Sequence, residues 1–199
     1  MTWTYEPADY LSFGGNAAEA AQEALKDGPF GLFWRRDMAR AFQACGQNID
    51  LSGIHTTCAV FASAAWHWAG RKVRTRKGHI GGPILNGWLE GLNAPGPYWV
   101  PNDATSFPET GDIICYGSEP RLIHHVELSL DKSTDGTILT AHGGDSPTYG
   151  ELVQAKIAGD KAKIHAANGT VARIGAGRKE MHGICGWFSA AKVAEAEGL

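Results

Sequence analysis

Cys58 directly follows Thr56-Thr57 and opens the apolar run Cys-Ala-Val-Phe-Ala-Ser-Ala-Ala-Trp-His-Trp-Ala. Either threonine can cap a helix here, which places the sulfur in the first turn. At that position the helix macrodipole and the unpaired amides favour a thiolate. A thiol becomes a useful nucleophile at neutral pH with such help or with a neighbouring imidazole. The chain offers two histidines in tandem, His124 and His125, inside Ile-His-His-Val-Glu-Leu-Ser-Leu. Side chains alternate along a strand, so only one of the two can face the helix. If Ile123, His125 and Glu127 share a face, Val126 and Leu128 pack behind. A third polar group must orient the imidazole and fix its tautomer. The next strand ends in Ala141-His142-Gly-Gly-Asp145, which makes His142 the first candidate and Asp145 the second. The chemistry expected of such a set is acyl transfer through a cysteine thioester.

A different chemistry uses some of the same residues. His55-Thr-Thr-Cys58 and His182-Gly-Ile-Cys185 are two HxxC pairs that together supply four tetrahedral ligands for a structural zinc. Paired zinc ligands usually sit in tight knuckles beside glycine or turn residues, whereas Cys58 opens an apolar helix. No metal or other cofactor is therefore expected. Cys45, Cys58, Cys115 and Cys185 are widely spaced and contain no CxxC pair, so they do not form a disulfide framework. Cys45 and Cys115 fit the core, and Cys45, Cys115 and Cys185 are left either as thiols or with one bridge among them.

These residues need elements to hold them. Residues 16–26 read as an Ala-rich scaffold helix capped by Asn16, and 30–45 as a second helix stopped by Gly46. Residues 57–69 place Cys58, Phe61, Ala62, Ala65, Trp68 and Ala69 on one helical face. A short helix is expected over 86–93, followed by a Pro-Gly-Pro loop. Past Pro108 the texture changes to short segments rich in β-formers and bounded by Gly, Pro or Asp: 113–116, 122–130 and 137–141. Further strands are expected over 152–157, 162–165, 170–174 and 183–188, with an Ala-rich helix from Ser189. Asp112 is expected to brace the turn before the first of these strands rather than to do chemistry. Helices first and a strand meander afterwards imply an α+β domain in which helices pack on an antiparallel sheet.

With the motifs in this order, the chain resembles the papain-like CHAP and NlpC-type cysteine peptidases and amidases of bacterial cell walls. The resemblance covers roughly residues 57–144. It rests on Thr57-Cys-Ala-Val-Phe61, on Pro108-Glu-Thr-Gly-Asp112, on His125-Val126 and on a polar residue closing the third strand. It implies a papain-like single domain spanning 1–199, with a helical portion 1–55, a catalytic core 56–145, and strands and a C-terminal helix over 146–199. It also implies Cys58 as nucleophile, His125 as general base and His142 as the orienting third member. The family's His-Val-Gly triplet reads His-Val-Glu here, which keeps His124 as the alternative to His125. The implied reaction is attack of the Cys58 thiolate on an amide of a peptidoglycan peptide, with the Cys58 amide helping to hold the oxyanion. Gln47-Asn48 is one source for a second oxyanion donor. The basic stretch Arg71, Lys72, Arg74, Arg76 and Lys77, five cations in seven residues, is either a solvated loop or a rim for the carboxylates of such a substrate. A degenerate binding module or an acyltransferase relative would keep the fold without the hydrolysis.

Length and charge limit the remaining possibilities. The 199 residues are enough for one domain with its own core. A hydrophobic share of 43% with 20% charged residues fits a globule rather than a disordered chain. A net charge of −3 supplies no global field for nucleic acid. No apolar run reaches the length of a membrane span, and the N-terminus shows no secretory signal. For a chain without such a signal, the resemblance to the wall hydrolases implies action at the cell wall or periplasm, reached from the cytoplasm through a secretion system, a phage particle or lysis. A toxin of this kind would have an immunity protein as a partner.

Overall fold

The computed structural model describes residues 16–26, 58, 61, 62, 65, 66, 69, 98–103, 105–120, 122–131, 136–145, 153, 154, 156–160 and 173–198. The expected elements at 30–45, 86–93 and 162–165 lie outside them. Helix α1 (Ala17–Lys26) begins where expected. The Asn16 Oδ1 accepts hydrogen bonds from the amides of Ala18 at 3.0 Å and Glu19 at 3.3 Å, satisfying two donors the helix cannot pair internally. Its alanines 17, 18, 20, 21 and 24 are all buried.

Six strands follow: β1 (Trp99–Pro101), β2 (Ile113–Gly117), β3 (Ile123–Ser129), β4 (Thr137–Asp145), β5 (Arg173–Glu180) and β6 (Ile184–Phe188). They form one sheet in the order β1-β6-β2-β3-β4-β5, antiparallel at every pairing. Helix α2 (Ala190–Glu197) closes the described chain, with the Ser189 hydroxyl accepting from the Lys192 amide at its start. The described residues are thus α+β, with helices against an antiparallel sheet.

One core cluster joins α1 and the helical residues Phe61, Ala62, Ala65 and Trp66 to Ile113, Cys115, Val126, Leu128, Ala141, Ile174 and Phe188 of the sheet. A smaller cluster of Ile114, Ile138, Ile184 and Trp187 forms separately, from strand neighbours of alternate parity. Trp66, which the expected apolar face did not include, is fully buried, and its Nε1 donates to the Gly111 carbonyl at 2.7 Å. Trp68 of that face lies outside the described residues. The Trp66 bond ties the helical segment bearing Cys58 to the turn that leads into β2. Asp112 braces the same corner: its carboxylate accepts from the amides of Glu109 and Ala190, each at 2.9 Å. Burial pushes its pKa up to about 6 in spite of those bonds.

The strands depart from expectation in three places. Residues Val153, Gln154, Lys156 and Ile157 are helical, with the Ala158 amide bonded to the Gln154 carbonyl at 2.9 Å, so 152–157 is not a strand. A short run mixing Ala, Gln and Lys with Val and Ile fits either period, and helix propensity prevails there. The strand expected at 170–174 instead runs as β5 to Glu180, through Gly175-Ala-Gly177, residues with little strand propensity that are recruited by the β4 ladder. Strand β1 was not expected at all. It is held at the sheet edge by β6 and by an edge-on contact of Trp99 with Phe188, their ring centroids 5.2 Å apart, and Pro101 is tolerated because the strand is an edge.

At Gly143 of β4 the sheet backbone lies close against Phe61. A Cβ built there would lie 2.6 Å from Phe61 Cβ, an atom fixed to the helical backbone. Gly143→Ala is expected to lower stability by about 1–3 kcal/mol through overpacking. Chemical denaturation checks this, and an unchanged midpoint would show that the helix can shift freely.

Candidate active site

Cys58 is helical and half-buried at the margin of the main core, and its side chain is hydrogen-bonded to that of His125. His125 projects from β3 opposite Tyr116 of β2, their rings tilted against each other with centroids 5.7 Å apart. His124 is exposed. The pairing of β2 with β3 explains this: Tyr116 pairs with His125 but Gly117 pairs with Ile123, so His124 is the extra residue of a bulge. The bulge also overturns one expected detail. Ile123 packs in the cluster of Val126 and Leu128 rather than sharing a face with His125 and Glu127. Val126 and Leu128 do not pack behind either: they share the main core cluster with the helical residues Phe61, Ala62, Ala65 and Trp66.

The group that holds His125 is Glu127, two residues on along the same strand. His125 Nε2 lies 3.0 Å from Glu127 Oε1. The carboxylate is fully buried and collects donors from three further residues on two other strands and on β2. Lys179 Nζ of β5 bonds to Oε1, while Tyr116 Oη donates to Oε2 at 3.1 Å and Thr140 Oγ1 of β4 donates to the same Oε2. Burial by itself would raise the Glu127 pKa, but the bonds from His125, Lys179 and Thr140 and the Lys179 charge outweigh it and hold the pKa at about 2. His125 moves the other way: its bond to Cys58, then its bond to Glu127, push it up from 6.5 to about 9 against the opposing effect of burial. The linkage has a definite sign. The stabilisation tied to His125 is complete below pH 6.5 and is lost as the pH rises through about 9. That tied to Glu127 is present above pH 4.5 and is lost as the pH falls through about 2.

His142, expected to orient His125, sits elsewhere. Its Nδ1 is 3.9 Å from Glu127 Oε1, beyond hydrogen-bond reach. Its ring lies over Gly175 of β5, where a Cβ would be 2.7 Å from Nε2. The residue bonded to His125 is therefore Glu127, and His142 flanks that carboxylate. Asp145 ends β4 with its backbone opposite Arg173. Sequence reasoning placed Glu127 on the His125 face without assigning it a role, although a carboxylate two residues along a strand from an imidazole was the available signal. The basic residues Arg71, Lys72, Arg74, Arg76 and Lys77, the Gln47-Asn48 segment and His55 lie outside the described residues.

The other described thiols are placed differently. Cys115 is fully buried in the core, and burial, followed by the Cys185 and Cys58 sulfurs, pushes its pKa well up. Cys185 is raised by burial as well, and its Sγ lies 3.3 Å from the Cys115 carbonyl oxygen. Cys58, Cys115 and Cys185 are thiols rather than half-cystines. Of the two HxxC pairs, His182 is exposed, and among the described residues no group of three or more His, Cys, Asp or Glu side chains is arranged to hold a metal ion. Among the described residues, too, no helix is long and apolar enough to cross a membrane. Compared with known proteins, the chain matches no family model, and neither the curated proteins nor the solved structures contain a significant match.

Proposed function

We propose that this chain is a cysteine amidase of papain-like type that hydrolyses amide bonds in peptidoglycan peptides, with Cys58 as nucleophile, His125 as acid and base, and Glu127 as the orienting carboxylate. The observation that carries the reading is the chain of contacts from the helical Cys58 sulfur to His125 and from His125 Nε2 to the buried Glu127. The papain-like assignment is supported by a cysteine on a helical segment packed against an antiparallel sheet, with its histidine on the strand after β2 and in the family's order.

The geometry suits each step. Glu127 takes Nε2, which leaves Nδ1 for the sulfur. The bond to Cys58 favours the protonated form of His125, and in this reading the sulfur reacts as the thiolate paired with that imidazolium. The thiolate attacks the amide carbon and the carbonyl oxygen takes the negative charge, facing the Cys58 amide. As the C–N bond breaks, the imidazolium passes its proton to the leaving nitrogen, and a thioester remains on Cys58. Neutral His125 then removes a proton from water, the hydroxide attacks the thioester carbon, and the C–S bond breaks to regenerate the thiolate. Glu127 stays ionised throughout and stabilises the imidazolium. Delivery to the wall or periplasm by a secretion system, a phage particle or lysis, and an immunity protein that covers the site, belong to the same proposal.

Digestion of purified peptidoglycan, with the fragments identified by mass spectrometry, tests it. New amine and carboxyl ends are expected, and the rate is expected to fall on the alkaline side as His125 loses its proton near pH 9. If no wall chemotype releases fragments while Cys58 is still alkylated rapidly, the substrate is a different acyl compound.

A further inference from the structure

We infer that Lys179 of β5 is a positioning residue that sets the proton affinity of His125 by sharing one oxygen of Glu127 with it, an inference that rests on the amidase reading above. Lys179 Nζ and His125 Nε2 both bond to Oε1 of the same carboxylate, while Tyr116 and Thr140 occupy Oε2. Two cations thus face one anion. Glu127 is fully buried, whereas the Lys179 side chain is 40% exposed and that of His125 is 32% exposed. The anion is screened from solvent and the two cations are not.

The consequences follow from charge alone. Without Lys179, a buried carboxylate beside a single imidazole would bind that imidazolium with its whole charge and hold it as a persistent cation. An imidazolium held too firmly is a poor acid toward the leaving nitrogen and returns too slowly to the base form that thioester hydrolysis requires. Lys179 takes part of the charge on Oε1 and repels the imidazolium proton, bringing His125 closer to the working range. It also keeps Glu127 ionised when His125 is neutral. Its neighbour Arg178 does not replace it: that side chain is committed to Asp131 at 2.7 Å and Thr137 at 3.0 Å. Among the described residues, the titratable groups facing His125 and its carboxylate are Cys58 from the helical segment, Tyr116 from β2, His142 from β4 at 3.9 Å from Oε1, and Lys179.

The test is titration of His125 by NMR in protein labelled with carbon-13 at histidine Cε1, with the signal assigned by its loss in His125→Gln. Lys179→Met is expected to raise the His125 midpoint by about half a unit or more. Lys179→Gln, which keeps a donor for Glu127 and removes only the charge, is expected to act in the same direction and covers the case in which the Met variant fails to fold. Lys179→Arg is expected to restore the wild-type midpoint. The alkaline limb of kcat/KM should move with the midpoint, and kcat should fall more than KM changes. A residue with a merely structural role would lower stability without moving the midpoint. A folded Met or Gln variant with an unchanged or lowered midpoint overturns the inference and leaves the amidase reading intact. A His125 midpoint indifferent to Cys58→Ala overturns that reading, and the inference with it.

Discussion

Cys58→Ala will abolish amide hydrolysis, with a loss of about 10⁴-fold or more, because the residual rate without a nucleophile comes only from binding and oxyanion contacts. The fold should survive. Cys58 is half-buried at the edge of the core, and the helical segment around it is held by Phe61, Ala62, Ala65 and Trp66. The same substitution should lower the His125 pKa from about 9, because its bond to Cys58 is the largest cause of that elevation. Two measurements on one variant therefore check one geometry. The rate is read by mass spectrometry of released peptides and the proton affinity by NMR. Activity that persists in Cys58→Ala would rule out the nucleophile, and a steady His125 midpoint would rule out the pairing.

Glu127→Ala will damage both stability and rate. The carboxylate is fully buried and satisfies Lys179, His125, Tyr116 and Thr140 together. Its removal leaves two cations facing each other and the Tyr116 hydroxyl without its acceptor, while the Thr140 hydroxyl keeps only the Gly177 carbonyl at 3.4 Å. Breaking such a pair by deleting one partner costs about 3–5 kcal/mol, here toward the lower figure because both cations are partly in water. Glu127→Gln keeps the volume, and its effect on rate is therefore the cleaner one. An amide cannot supply the charge that stabilises the imidazolium, and a fall in kcat of about 10²–10⁴-fold is expected. His142→Ala is the decisive comparison. With the His142 Nδ1 3.9 Å from Glu127 Oε1, beyond hydrogen-bond reach, it should cost far less than Glu127→Gln. The opposite ranking would return the orienting role to His142. Denaturation midpoints and kcat/KM for the three variants decide the matter.

Much of the scaffold could be read directly from residue types. Asn16 ahead of an Ala-rich run marked the start of α1, and Ser189 ahead of another marked α2, because a capping side chain acts on amides two or three residues away. Strands β2, β3 and β6 and the start of β4 were legible as β-branched runs between turn residues. So was the pairing in principle of Cys58 with a histidine of Ile123–Leu130. Strand β5 was not legible, since Gly-Ala-Gly forms a strand only when a partner supplies the ladder, and neither was β1, which exists through β6 and the Trp99–Phe188 contact. The 152–157 segment was misread because a short mixed run fits both periods.

The site divides in the same way. The amino-acid sequence by itself determined the helical setting of Cys58 and the strand that carries the two histidines, since both are local consequences of residue type and backbone geometry. Only the tertiary structure decided which group bonds to His125. The bulge at His124 and the registers of β3 with β2 and β4 and of β4 with β5 bring Tyr116, Thr140 and Lys179 onto one carboxylate, and no spacing along the chain encodes a meeting of side chains from four strands. Burial of that carboxylate makes its charge costly, and the four donors make it tenable. A buried, fully bonded Glu127, rather than the more conspicuous His142, is what the fold places against His125.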